Sequence, residues 1–125
     1  MPRIEVVHGT ELKKGESTPG ISREKAFESS NALVSRTRLE RGAVSGWHHH
    51  GTHELYGFLV SGQLRLEYGP KGADAAVVGP GDFFHVPPGL VHRDVNPDRA
   101  HDLVIVNILV GSGVPVVNVE GVSGT

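Results

Sequence analysis

Residues 54–68 read ELYGFLVSGQLRLEY. Two short runs, Glu54 to Val60 and Gln63 to Tyr68, flank Ser61-Gly62. Both are rich in leucine and aromatic side chains. Leu64 and Leu66 alternate with Arg65 and Glu67, the period of a half-buried strand. A two-residue Ser-Gly joint between such runs predicts a β-hairpin.

The same punctuation continues on both sides. Gly69 to Gly72 is a turn, Ala75 to Val78 a short strand, and Gly79-Pro80-Gly81 another break. Phe83 to Val86 is ended by Pro87-Pro88-Gly89. Val91 to Val95 precedes the turn Asn96-Pro97-Asp98. His101 to Val110 is a long β-branched run, and Val114 to Val119 is a last one. Upstream, Asn31 to Glu40 alternates. No stretch after residue 30 has a helical period. Many short strands cut by Gly and Pro predict an all-β sandwich or barrel. With 17 Gly and 8 Pro, these two residues exceed the usual share of about 12%, and the excess is turn punctuation.

The first thirty residues are weakly patterned. Ile4 to His8 suits a short strand, 15–20 a loop, and Ser22 to Ser29 either a helical turn or a strand. They are expected to form an N-terminal arm (1–30), before a barrel over 31–119 and a frayed tail over 120–125, with either this arm or the sheet edge in a dimer interface. A barrel this small has edge strands to cover, and a homodimer is the expected way to cover them.

A chain of 125 residues suits one domain. Its 12 basic and 14 acidic side chains leave a net charge of −2, so neither nucleic acid nor an anionic membrane is an expected partner. No apolar run approaches the roughly 20 residues that span a bilayer. The first ten residues carry no apolar stretch of the kind a signal peptide needs, and a cytoplasmic protein is expected. There is no Cys, which excludes disulfides and thiolate metal sites.

Four of the eight His lie within GWHHHGTHE, residues 46–54. On a strand, His48 and His50 share one face and His49 takes the other. The Gly51-Thr52 turn then brings His53 or Glu54 beside them. Imidazole and carboxylate are ligands that a borderline divalent ion takes. His92, beyond the Pro87-Pro88-Gly89 corner, is the best further candidate. Trp47 has the opposite parity to His48 and is expected between the sheets. Tyr56, Phe58 and Val60 share the parity of Glu54 and are expected to line the cavity or the core. His85 and Tyr56 are the candidate catalytic groups, with Arg38 as a further polar lining residue.

Gly42, His48, His50 and Glu54, followed by Gly62, resemble the first motif of the cupin family, with the closing glycine one residue late. Gly81, Pro87, Gly89, His92 and Asn96 are similar to its second motif without a gap. The resemblance implies a double-stranded β-helix, or jelly-roll barrel, with one divalent metal ion inside its open end. It implies His48, His50, Glu54 and His92 as ligands. The displaced Gly62 leaves His53, or Tyr56, as the alternative third ligand. His49 falls outside the shell.

Such a shell around an octahedral ion keeps two positions open for water, substrate or dioxygen. Fe(II) there would serve dioxygen chemistry. Mn(II), Ni(II) or Zn(II) would act as a Lewis acid in isomerisation, decarboxylation or lyase reactions. The expected ligand is a small, partly polar organic molecule. The rival reading is a non-catalytic small-ligand binder or sensor.

Overall fold

The structure is a computed structural model that describes residues 2–122. Met1 and residues 123–125, the end of the expected tail, lie outside the described residues. Those described form eleven strands: β1 (Lys13–Lys14), β2 (Ile21–Glu28), β3 (Ala32–Leu39), β4 (His48–His49), β5 (Glu54–Ser61), β6 (Leu64–Tyr68), β7 (Asp74–Val78), β8 (Phe83–Val86), β9 (His92–Val95), β10 (Leu103–Val110) and β11 (Val117–Asn118). One 3-10 turn, Pro70–Gly72, links β6 to β7. Two antiparallel sheets face each other. The larger runs β1-β2-β3-β10-β5-β8 and the smaller β11-β4-β9-β6-β7. The expected all-β jelly roll is therefore the fold.

The two strands expected at 54–68 are present, but they do not pair as a hairpin. β5 pairs with β10 and β8 in the larger sheet. β6 pairs with β7 and β9 in the smaller. The chain changes sheet at Ser61-Gly62. Gly62 has φ +87°, and a Cβ there would lie 2.8 Å from the Cα of Leu103. Only glycine allows this corner to press against β10.

The alternation of β5 decides what faces inward. Leu55 and Leu59 are buried with the Gly57 backbone between them, whereas Tyr56 and Val60 are exposed. The closed end of the barrel holds Ile21, Leu39, Leu59, Leu64, Leu66, Val78, Leu103 and Ile105. Each such side chain contributes about 1.5–3 kcal/mol of burial. A smaller group, Leu55, Val86 and Leu109, packs separately. The Phe84 ring partly covers both groups by lying over Gly57, where an added Cβ would overlap the ring. Gly57 therefore makes room in mid-strand and is not a bend.

Ile21–Glu28, assigned from sequence to the arm, pairs with β3 from Ile21↔Leu39 to Glu28↔Leu33. A register shift between Lys25 and Phe27 interrupts its alternation, so its strand period is faint in the sequence. Ile21 enters the core, and Arg23 and Lys25 point the same way.

Asn96, which closes the second motif, is fully buried. Its Nδ2 donates to the carbonyls of Leu39, Glu40 and His101, and its Oδ1 accepts from Asp98 N. It ties the β9–β10 connection to the end of β3.

Candidate metal centre

β4 and β9 are neighbours in the smaller sheet, with His48 directly opposite His92. The pairing is extended by Ser45 N donating to Asp94 O, Asp94 N to Ser45 Oγ, and Asn96 N to Ala43 O. His50 follows β4 just before Gly51 turns the chain at φ +60°. All three imidazoles are buried. Their ring centroids lie 4.4 Å apart for His48–His92 and 5.1 Å for each of the other pairs. One nitrogen from each comes within 4.8 Å of the others.

The tautomers follow from the hydrogen bonds. His48 Nδ1 donates to Gly46 O at 2.8 Å. His50 Nδ1 donates to Pro115 O at 2.9 Å, and His92 Nδ1 to Leu90 O at 2.9 Å. A carbonyl can only accept, so each Nδ1 carries the proton and each Nε2 keeps its lone pair. Metal-bound histidines are commonly fixed in this way. Burial holds His50 well below its usual 6.5, at about 4; its bond to Pro115 opposes the change only in part. Burial lowers His92 too, partly offset by Asp94. Neutral imidazole is the form that binds metal. Among the described residues, His50 Nε2 is buried without a hydrogen-bond partner. An acceptor in that position is costly unless something satisfies it, and a divalent cation would do so. The donor set fits the group.

Glu54 is not brought to this cluster. It lies on the outer face of β5, where its Oε1 is 2.9 Å from His85 Nε2. The turn expected at Gly51-Thr52 is present, closed by His53 N donating to His50 O, but it does not deliver Glu54 to the inner face. The face shifts by one residue, and Leu55 points inward. Four residues separate His50 from Leu55, and six separate Leu55 from Gly62. Gly62 is thus not late: a leucine stands where the motif's acid would be. His53 is buried, but its Nδ1 donates to His50 O at 2.9 Å, and its ring packs against Gly111. It shapes the turn.

Tyr56 stacks on His85 with centroids 5.1 Å apart, also on the outer face. Both candidate catalytic residues therefore sit on the far side of the larger sheet from the histidines. Arg38 is exposed and 3.6 Å from Asp102. Trp47 is not between the sheets; the Arg93 guanidinium lies 4.5 Å from its ring centroid. His49 stays out of the cluster, accepting from Gly51 N.

The carboxylate that does reach the cluster is Asp94, with Oδ1 3.8 Å from His92 Nε2. Its parity with His92 was the available signal. A cavity of about 170 Å³ opens beside His50 and Leu55. A smaller one continues inward to His48, His92 and Asp94. Both are lined by Arg23, Thr37 and Asn107.

Two facing antiparallel sheets, with three convergent histidines that could hold a metal ion at one end, define a barrel of cupin architecture. The chain matches the Cupin domain family over residues 35–109 and belongs to it. No curated protein sequence matches the chain. Among solved structures, it resembles KdgF from Halomonas sp. at 22% identity and TM-score 0.74, covering 89% of this chain and 96% of that one. It also resembles the polyketide cyclase RemF from Streptomyces resistomycificus at 18% identity and TM-score 0.77, covering 94% and 86%. A third relative is an oxalate oxidase in complex with the substrate analogue glycolate, at 21% identity and TM-score 0.69, covering 86% and 60%. At these identities the likeness is one of fold. Among the described residues no helix is long and apolar enough to cross a membrane.

Proposed function

We propose that this cupin holds one divalent ion on His48, His50 and His92 and is an enzyme acting on a small, oxygen-chelating organic molecule. The observation that carries the reading is the buried, unpartnered Nε2 of His50, beside two imidazoles fixed in the same tautomer. The bound ion would supply Lewis acidity. Three neutral ligands leave its charge uncompensated, which favours an anionic chelating ligand over a neutral one. The chain's part is to orient that ligand in the cavity and to manage its proton. Asp94 Oδ1 is the acceptor placed for this, 3.8 Å from His92 Nε2. Leu55, Val86 and Phe84 form the apolar wall that limits water. The polyketide cyclase and the oxalate oxidase, enzymes by name, share the barrel.

Elemental analysis tests this on protein purified without chelator or His-tag. About one first-row divalent ion per chain is expected, and none above background overturns the reading.

A homodimer remains the proposed assembly. Tyr56, Val60, Phe83, Ile108 and Val110 expose apolar surface on the outer face of the larger sheet, Phe83 at 80%. Light scattering at micromolar concentration is expected to give twice the chain mass. A monomer there refutes it.

A further inference from the structure

The open end of the barrel has a polar row that the metal reading does not use. On the inner face of the larger sheet, Arg23 is opposite Thr37, which is opposite Ile105. One step along, Lys25 is opposite Ser35, and Ser35 is opposite Asn107. Asn107 Nδ2 donates to Thr37 Oγ1 at 3.2 Å. The rest of this inner face is largely apolar, so the polar groups are confined to the region facing the histidines.

Arg23 differs from the other strand arginines. Arg36 pairs with Glu24, Arg38 with Asp102, and Arg65 and Arg93 with Glu67. Arg23 has no carboxylate partner among the described residues. Its one side-chain hydrogen bond among them runs from Nη1 to the carbonyl of Glu16 at 3.3 Å, which leaves most of its five donors open. It lines both the outer cavity and the inner one that holds the histidines and Asp94. Lys25 lines the outer cavity, 3.5 Å from Glu28.

We propose that Arg23 is a specificity residue. It pairs with a carboxylate of the ligand while the ligand's other end meets the ion, and Thr37 and Asn107 offer hydrogen bonds between them. A planar guanidinium matches a carboxylate with two parallel bonds. The ligand class is then a short dicarboxylate with a hydroxyl or carbonyl beside one carboxyl group. This rests on the metal site proposed above.

The test compares malate with 2-hydroxybutanoate, which has the same chelating end but no distal carboxylate. Calorimetry on Ni(II)-loaded protein is expected to show malate binding at least tenfold tighter. Arg23→Gln brings that ratio to about one, leaving the Ni(II) affinity and the 2-hydroxybutanoate affinity unchanged. Arg23→Lys keeps part of the preference, which separates loss of charge from loss of fold. A wild-type protein without preference, or an Arg23→Gln variant that keeps it, overturns the proposal. Protein that takes up no Ni(II) defeats the metal reading instead. Arg23 is then decided on the metal-free protein with succinate against butanoate, where the same Arg23-dependent preference is required.

Discussion

His92→Ala is expected to weaken Ni(II) or Mn(II) binding by at least about 100-fold, more than even the roughly 10–100-fold loss typical of removing a supporting group around a metal. His92 stands directly across from His48 on a neighbouring strand, and its removal leaves two nitrogens where the geometry gathers three. His48→Ala should cost no more than this. His49→Ala and Glu54→Gln should leave affinity nearly unchanged, because His49 is engaged by Gly51 N and Glu54 lies beside His85 on the outer face. Isothermal titration at pH 7.5 decides between these outcomes. If Glu54→Gln is as damaging as His92→Ala, the carboxylate enters the shell and the assignment of the inner face of β5 is wrong. Leu55→Glu supplies the converse. It would put a carboxylate beside His50, in the cavity Leu55 now lines, and should tighten metal binding while destabilising the metal-free chain through an unpaired buried acid.

The strands were legible because Gly and Pro mark their ends. Phe83 to Val86, stopped by Pro87-Pro88-Gly89, matches β8 residue for residue. What single-strand patterning does not encode is which strand lies alongside. The hairpin expected across Ser61-Gly62 had the right sequence for a two-residue turn. That joint serves instead as a passage between sheets, since β5 pairs with β10 and β8 in one sheet and β6 with β7 and β9 in the other. The side chain brought inward after the expected Gly51-Thr52 turn differed for a related reason. Alternation holds only within an unbroken strand, and the His50–His53 turn reset it. That one-residue slip carried Glu54, Tyr56 and Phe58 to the wrong side together. His48, His50 and His92 were found because each is fixed by local spacing, on a strand or after a Pro-Gly corner. Arg23 was missed because the register shift near Ala26 hides the strand that carries it.

The metal-free chain is expected to lose about 3 kcal/mol of stability as pH falls from 6.5 to 4, from His50 alone. In the folded chain burial keeps His50 neutral until about 4, while in the unfolded chain it takes a proton near 6.5. Between these values the unfolded state holds a proton that the folded state does not, so stability rises with pH across the window and is lost on acidification. His92, also lowered by burial, acts in the same direction. Glu67, held below the usual carboxylate range by Arg65 and Arg93, also loses its contribution in acid, but only below about 4.5. Bound metal adds stability by mass action. Protons compete for the same nitrogens, so that addition also fades toward acid. Urea unfolding of chelator-treated protein at pH 7.5, 6.0 and 5.0 reads the effect directly. His50→Gln should flatten the dependence, because an amide of similar reach has no proton to gain. A wild-type stability that stays level from pH 7 to 5 would mean that His50 is not held neutral by burial. The chemical case for a preformed set of three metal-ready imidazoles would fall with it.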